Sequence, residues 1–187
     1  MKSLFVKGSL VLALAAAFGM PNVASAKLVP VQPTVQVVDE SHAAIVGANG
    51  LLNAFIQNHP DAAITEISFD ADGGQIKYEV DGFNESGKYE LIYIYATNQI
   101  FEKREGDYRK SLNKKAFNPR QILPPAAVVN FAFAQTKGRA VSLNSWSVHN
   151  EHRKPVYKVV FGTDDSHEVA VRIDAMTGKL LSVKFDD

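Results

Sequence analysis

The chain has 187 residues, with 20 Lys and Arg against 20 Asp and Glu, no cysteine, and 46% hydrophobic residues. That composition excludes a disordered or collagen-like chain, and the neutral balance argues against a surface built to neutralise nucleic-acid phosphates. Zero cysteines exclude a disulfide framework, a zinc ribbon, an iron–sulfur site and a thiol nucleophile.

Residues 1–26 read as a signal peptide. Lys2 and Lys7 stand in a segment without acids, Leu10 to Phe18 is a short apolar core, and Ala24, Ser25 and Ala26 supply the small residues of a cleavage site. The apolar run is well short of the roughly 20 residues that span a bilayer, so no stable membrane anchor is expected. Cleavage after Ala26 leaves 18 basic and 20 acidic residues, a formal charge of −2. The product is expected to be soluble and exported, secreted or periplasmic.

Residues 27–40 carry Pro30 and Pro33 among valines and glutamines, which predicts an extended arm. Asp39, Glu40 and Ser41 then offer a helix N-cap. Ile45, Leu51, Leu52, Phe55 and Ile56 recur at helical spacing up to Asn58, with Asn49 and Gly50 weakening the middle. Alternation predicts strands at 63–70, 76–80 and 89–95, and a short one at 100–103, separated by the turn residues Asp72 to Gly74 and Asn84 to Gly87. Residues 41–105 thus form a helix followed by a meander.

Residues 106–123 are a basic linker, holding Arg109, Lys110, Lys114, Lys115 and Arg120 with Asp107 its acid after Gly106. A solvated linker is the favoured reading of this run, and an anionic partner or membrane surface is the functional alternative. The pattern restarts in residues 124–187. A helix opens at Pro124, and strands follow at 141–148, 155–161, 168–173 and 179–185. An offset of 79 superposes Ile67 on Trp146, Phe69 on Val148, Tyr78 on Tyr157, Val80 on Val159, Ile92 on Val171 and Ile94 on Ile173. The predicted fold class is therefore α+β, with two tandem repeats, each one helix packed on an antiparallel meander of three to four strands.

Pro155, Val156 and Tyr157, followed by Glu168 to Ile173 and then Asp174, Ala175, Thr177, Gly178, Lys179 and Leu180, resemble the signature of PepSY domains. The first unit departs from that signature, with Tyr95 in place of the aspartate. Asp174 and Gly178 have a structural reading, one capping the bend and the other supplying a positive φ. The resemblance implies a module that binds or inhibits a peptidase. The architecture also resembles that of the β-lactamase inhibitor protein, whose two repeats present a joint sheet to an enzyme.

No nucleophile elbow, P-loop or dinucleotide fingerprint is present, so the protein is read as not an enzyme, with no cofactor. The offset places Ile92 and Ile94 towards the helix, and Tyr89, Leu91, Tyr93 and Tyr95 on the opposite, open face. Exposed tyrosines offer a rigid ring and one hydroxyl at low entropy cost, so these four are the candidate partner-binding residues. The expected partner is a protein such as a secreted peptidase, not a nucleic acid. The alternative is a metal carrier using His149, His152 and His167, the turn-borne histidines of the second unit.

Overall fold

In the computed structural model the described residues are 37–71, 74–104 and 106–186. Residues 1–26, expected to be a signal peptide, and 27–36 of the expected arm lie outside them; 37–40, expected to be extended, are helical instead. Helix α1 spans Val37–Asn58. It begins ahead of Asp39, Glu40 and Ser41, which fall inside its first turns instead of capping it, and it runs on through Gly50.

Four strands follow: β1 (Ala63–Asp70), β2 (Lys77–Asn84), β3 (Gly87–Ile94) and β4 (Gln99–Arg104), with a 3₁₀ turn at Tyr95–Thr97 between the last two. Helix α2 spans Pro125–Gln135, and β5 (Ala140–Glu151), β6 (Lys154–Thr163), β7 (Glu168–Asp174) and β8 (Leu180–Phe185) complete the chain. Pro125 starts α2 where no intrahelical donor is needed, and Lys137 and Gly138 end it with positive φ of 57° and 80°.

All eight strands form one antiparallel sheet in the order β4-β3-β2-β1-β5-β6-β7-β8. The join is central: β1 pairs with β5, Ser68 lying directly opposite Ser147. α1 packs on β1, β2, β3 and β5, and α2 on β6 and β7. A single core between helices and sheet unites Leu51, Leu52 and Phe55 of α1, Val128, Val129 and Ala132 of α2, and Phe69, Tyr78, Trp146 and Tyr157 of the sheet. The expected α+β class is present; the sheet is continuous across both halves. Among the described residues no helix is long and apolar enough to cross a membrane.

The segment between β4 and α2 is a strap along one end of the sheet. Tyr108 lays its ring 5.7 Å from that of Phe83, Phe117 donates its N–H to the Ile64 carbonyl, Asn150 Nδ2 donates to the Ala116 carbonyl, and Leu123 N–H donates to the Ala175 carbonyl. These contacts carry the strap from β4, past β2 and β1, to the end of β7.

Candidate functional site

The tyrosine strand is β3, and its orientation follows from pairing. Residues directly opposite in a sheet share a face. Leu91 pairs with Val80, and Tyr93 with Tyr78, both of which are fully buried under α1. Leu91 is 1% exposed, so it is a core residue. Tyr93 packs its ring 5.7 Å from Tyr78 and donates its hydroxyl to Asn98 Oδ1 at 2.9 Å. Tyr89 stacks on His59 at 4.2 Å. Three of the four expected residues therefore lie on the helix side, contrary to the expectation. Tyr95, in the turn before β4, is 56% exposed.

The reason is a single register step. Val80 pairs with Leu91, whereas Val159, which stands 79 residues further on, pairs with Val171. Leu91 and Val171 hold corresponding places, an offset of 80. The first hairpin closes between Asn84 and Gly87 around Glu85 and Ser86. The second closes through the Thr163 N–H to the His167 carbonyl around Asp164, Asp165 and Ser166. An even loop against an odd one moves the strand by one residue, and one residue exchanges its faces.

Ile92 and Ile94 consequently lie on the open face. Ile92 pairs with Phe101 of the edge strand β4. Phe101 is 46% exposed, and Ile100, which points to the other side, 54%. Tyr95, Ile100 and Phe101 thus bring exposed apolar surface together at one edge, on both faces of β4. Sequence reasoning missed Ile92, Ile94, Ile100 and Phe101; the parity of the two hairpin loops was the signal that could have found them.

Beside Val156 and Val160, which also lie on it, the open face carries ion pairs. Lys88 Nζ meets Asp81 at 3.2 Å, Lys103 Nζ meets Glu90 at 3.2 Å, Lys77 Nζ meets Glu79 at 2.7 Å, and Arg172 pairs with Glu151. Glu66 sits at its centre, opposite Asp81 on one side and His149 on the other. Burial raises its carboxyl above the usual carboxylate value; His149 opposes the shift, and Asp81 and Glu79 add to it.

The histidines do not converge. His149 is on the open face of β5, and His152 is in the adjoining turn. His167 follows Thr163 at the far end of β6, on the order of 20–30 Å away along ten strand residues. It bonds instead to Asp165, whose carboxyl is lowered to about 2 by the Thr163 hydroxyl and His167. Among the described residues no cluster of three histidines or carboxylates could hold a metal ion. The metal-carrier reading is overturned by this separation.

Asp174 closes the β7–β8 turn, as its structural reading required. Its Oδ1 accepts from the N–H of Met176 at 3.0 Å and of Thr177 at 2.9 Å, and Gly178 takes a φ of 72°. Partial burial opposes ionisation, yet these donors hold the carboxyl below its ordinary value. Tyr157, of the preceding Pro-apolar-Tyr strand, buries its hydroxyl against the Leu123 carbonyl at 2.9 Å, and that burial pushes its pKa up.

This geometry defines an α+β protein with helices on one face of an antiparallel sheet and an apolar strip along one sheet edge. Residues 122–184, which span α2 and most of β5–β8, match the model of the PepSY family, described as the peptidase propeptide and YPEB domain. A protein described as a candidate lipoprotein from Clostridium difficile 630 has a similar fold, with a TM-score of 0.60 at 20% identity over 72% of this chain and 90% of that one. The YpmB protein from Bacillus subtilis aligns over 75% of this chain and 98% of its own, with a TM-score of 0.34 at 12% identity. No curated protein matches the sequence.

Proposed function

We propose that the protein is an exported, non-enzymatic binding module that regulates or inhibits another exported protein such as a peptidase. The family description of residues 122–184 supports a peptidase-related role. The observation that carries the choice of surface is the edge of the sheet, where Tyr95, Ile100 and Phe101 are exposed next to Ile92 and Ile94. β4 pairs with β3 without a register shift, so its outer backbone groups form a regular row. Exposed apolar residues beside an unbulged edge strand suit an extended segment of a partner chain.

The same reading takes the chain as a tandem duplication. Ser68 and Ser147 are 79 residues apart, the offset that superposes the two halves, and they face each other across the β1–β5 join. A local two-fold axis between these serines relates Ile67 and Phe69 to Trp146 and Val148.

A photo-crosslinking amino acid at position 101, exposed to the host's exported proteins, tests the surface. One adduct formed from position 101, absent from position 181 on the opposite edge strand and weakened by Ile100→Ser, is the expected result. Equal adducts from both positions, or none from 101, would overturn the choice of edge. A captured peptidase whose activity is unchanged by the purified protein would remove the inhibitory role.

A further inference from the structure

From Tyr108 to Asn150 the chain contains no Asp or Glu. The strap within this stretch presents Arg109, Lys110, Lys114, Lys115 and Arg120, all exposed and none in an ion pair among the described residues. From residue 27 onward the formal charge is −2, so these five cations are set against −7 in the remainder.

Topology adds to the asymmetry. The β5–β6 turn and the β7–β8 turn lie at the same end of the sheet as the strap, and they bring exposed Arg153, Lys154 and Lys179 to it. Among the described residues the acidic groups at this end are Asp61, Glu85, Asp107, Glu151 and Asp174. Asp107 pairs with Arg104, Glu151 with Arg172 and His149, and Asp174 with the amides of its own turn. Asp61 accepts from Asn84 Nδ2. The β6–β7 turn, at the opposite end, carries Asp164, Asp165 and Glu168.

The cations are spread, not pocketed. The strap passes from β4 to β7, six strand spacings or about 30 Å. A row of lysines and arginines of that width, with Tyr108 and Leu112 interleaved, matches a laterally extended anionic surface better than a compact ligand. We propose that the strap end of the sheet docks the protein on an anionic phospholipid bilayer, reversibly and by charge, leaving the β4 edge free. This surface is separate from the β3–β4 edge and stands whether or not that edge binds a protein.

The test is flotation of the purified protein with phosphatidylglycerol-containing vesicles and with neutral phosphatidylcholine vesicles. Lys110→Gln/Lys114→Gln/Lys115→Gln is compared with Lys158→Gln/Lys184→Gln, which removes charge elsewhere, and circular dichroism confirms that both variants fold. Each surface cation is expected to contribute about a fivefold factor, so the triple variant should lose on the order of 100-fold in partitioning. Binding should also collapse as salt rises from about 0.1 M to about 1 M. Equal binding to neutral vesicles would overturn the proposal, because it would point to apolar insertion in place of charge. So would an equal loss in the Lys158/Lys184 variant, no vesicle binding at all, or binding of soluble polyphosphate in place of vesicles.

Discussion

Gly47 and Gly50 share helix α1 but meet different surroundings, and this makes a controlled pair. A Cβ built on Gly47 would run into Cζ of Tyr78 and lie 2.7 Å from both Cε atoms, whereas one on Gly50 meets nothing within 4 Å. Replacing glycine by alanine within a helix is favourable by about 1 kcal/mol where space allows. Gly50→Ala should therefore stabilise by about that amount, raising Tm by roughly 2–4 °C. At Gly47 the same gain is opposed by overpacking, which costs about 1–3 kcal/mol. The upper end applies because the Tyr78 ring is fully buried, with Phe69 5.5 Å away and Tyr93 5.7 Å away, so it has no easy retreat. Gly47→Ala should then be destabilising by about 2 kcal/mol, leaving the two variants about 3 kcal/mol, or roughly 6–12 °C, apart in thermal melts followed by circular dichroism. Tyr78→Leu placed beside Gly47→Ala should show coupling and return part of the loss. If Gly47→Ala stabilises as much as Gly50→Ala, α1 does not rest on Tyr78 and the packing argument fails.

Two further outcomes follow from the open face and from β3. Because the folded protein raises the Glu66 carboxyl above its unfolded value, the native state holds the proton more tightly, and stability is lost as pH rises above about 4.5. Glu66→Gln should raise Tm at pH 7 relative to wild type and do little near pH 4; no gain at pH 7 in urea melts would mean that His149 offsets the burial. Among the six tyrosines, nitration followed by peptide mapping should modify Tyr95 and Tyr108 first and spare Tyr78 and Tyr157. Reaction of Tyr93 as fast as Tyr95 would contradict the register of β3 with β2.

The strands were legible because alternation survives wherever one face is covered. β1 coincides with the alternating run from Ala63 to Asp70, and α2 with the apolar segment opened by paired prolines. The start of α1 was not legible, since the capping-type residues Asp39, Glu40 and Ser41 lie within the helix. The open-face residues were missed for a sharper reason. A constant offset carries a pattern correctly through β1, β2, β5 and β6, but hairpin loops of unequal parity break it at the third strand of each half. Tyr89, Leu91 and Tyr93 gave no warning, because tyrosine suits either side of a half-buried strand. The spatial scatter of His149, His152 and His167 depends on which end of the ten-residue β6 each turn occupies, and that is a property of pairing, not of spacing in the chain.

The central β1–β5 pair also bears on which part of the chain can stand alone. The segment matching the PepSY family holds α2 and most of β5–β8, yet in the folded protein β5 is an interior strand. Without β1 its backbone row would become a twelve-residue edge, and Trp146 and Val148, both at most 1% exposed, would lose their neighbours Phe69 and Ile67. α1 packs on β5 as well as on its own meander, so removing the first half strips a layer from this strand in addition to baring its edge. The reverse cut leaves β1 in the same position, with Ile67 and Phe69 at a new edge. A long apolar edge is a template for association, and joining the halves through β1 and β5 leaves only β4 and β8 outermost. β8 is broken by a register shift and carries Lys184, while β4 pairs regularly and carries exposed Ile100 and Phe101. The continuous sheet therefore buries two of the four edges that separate meanders would have, and of the remaining pair only β4 keeps a regular apolar edge.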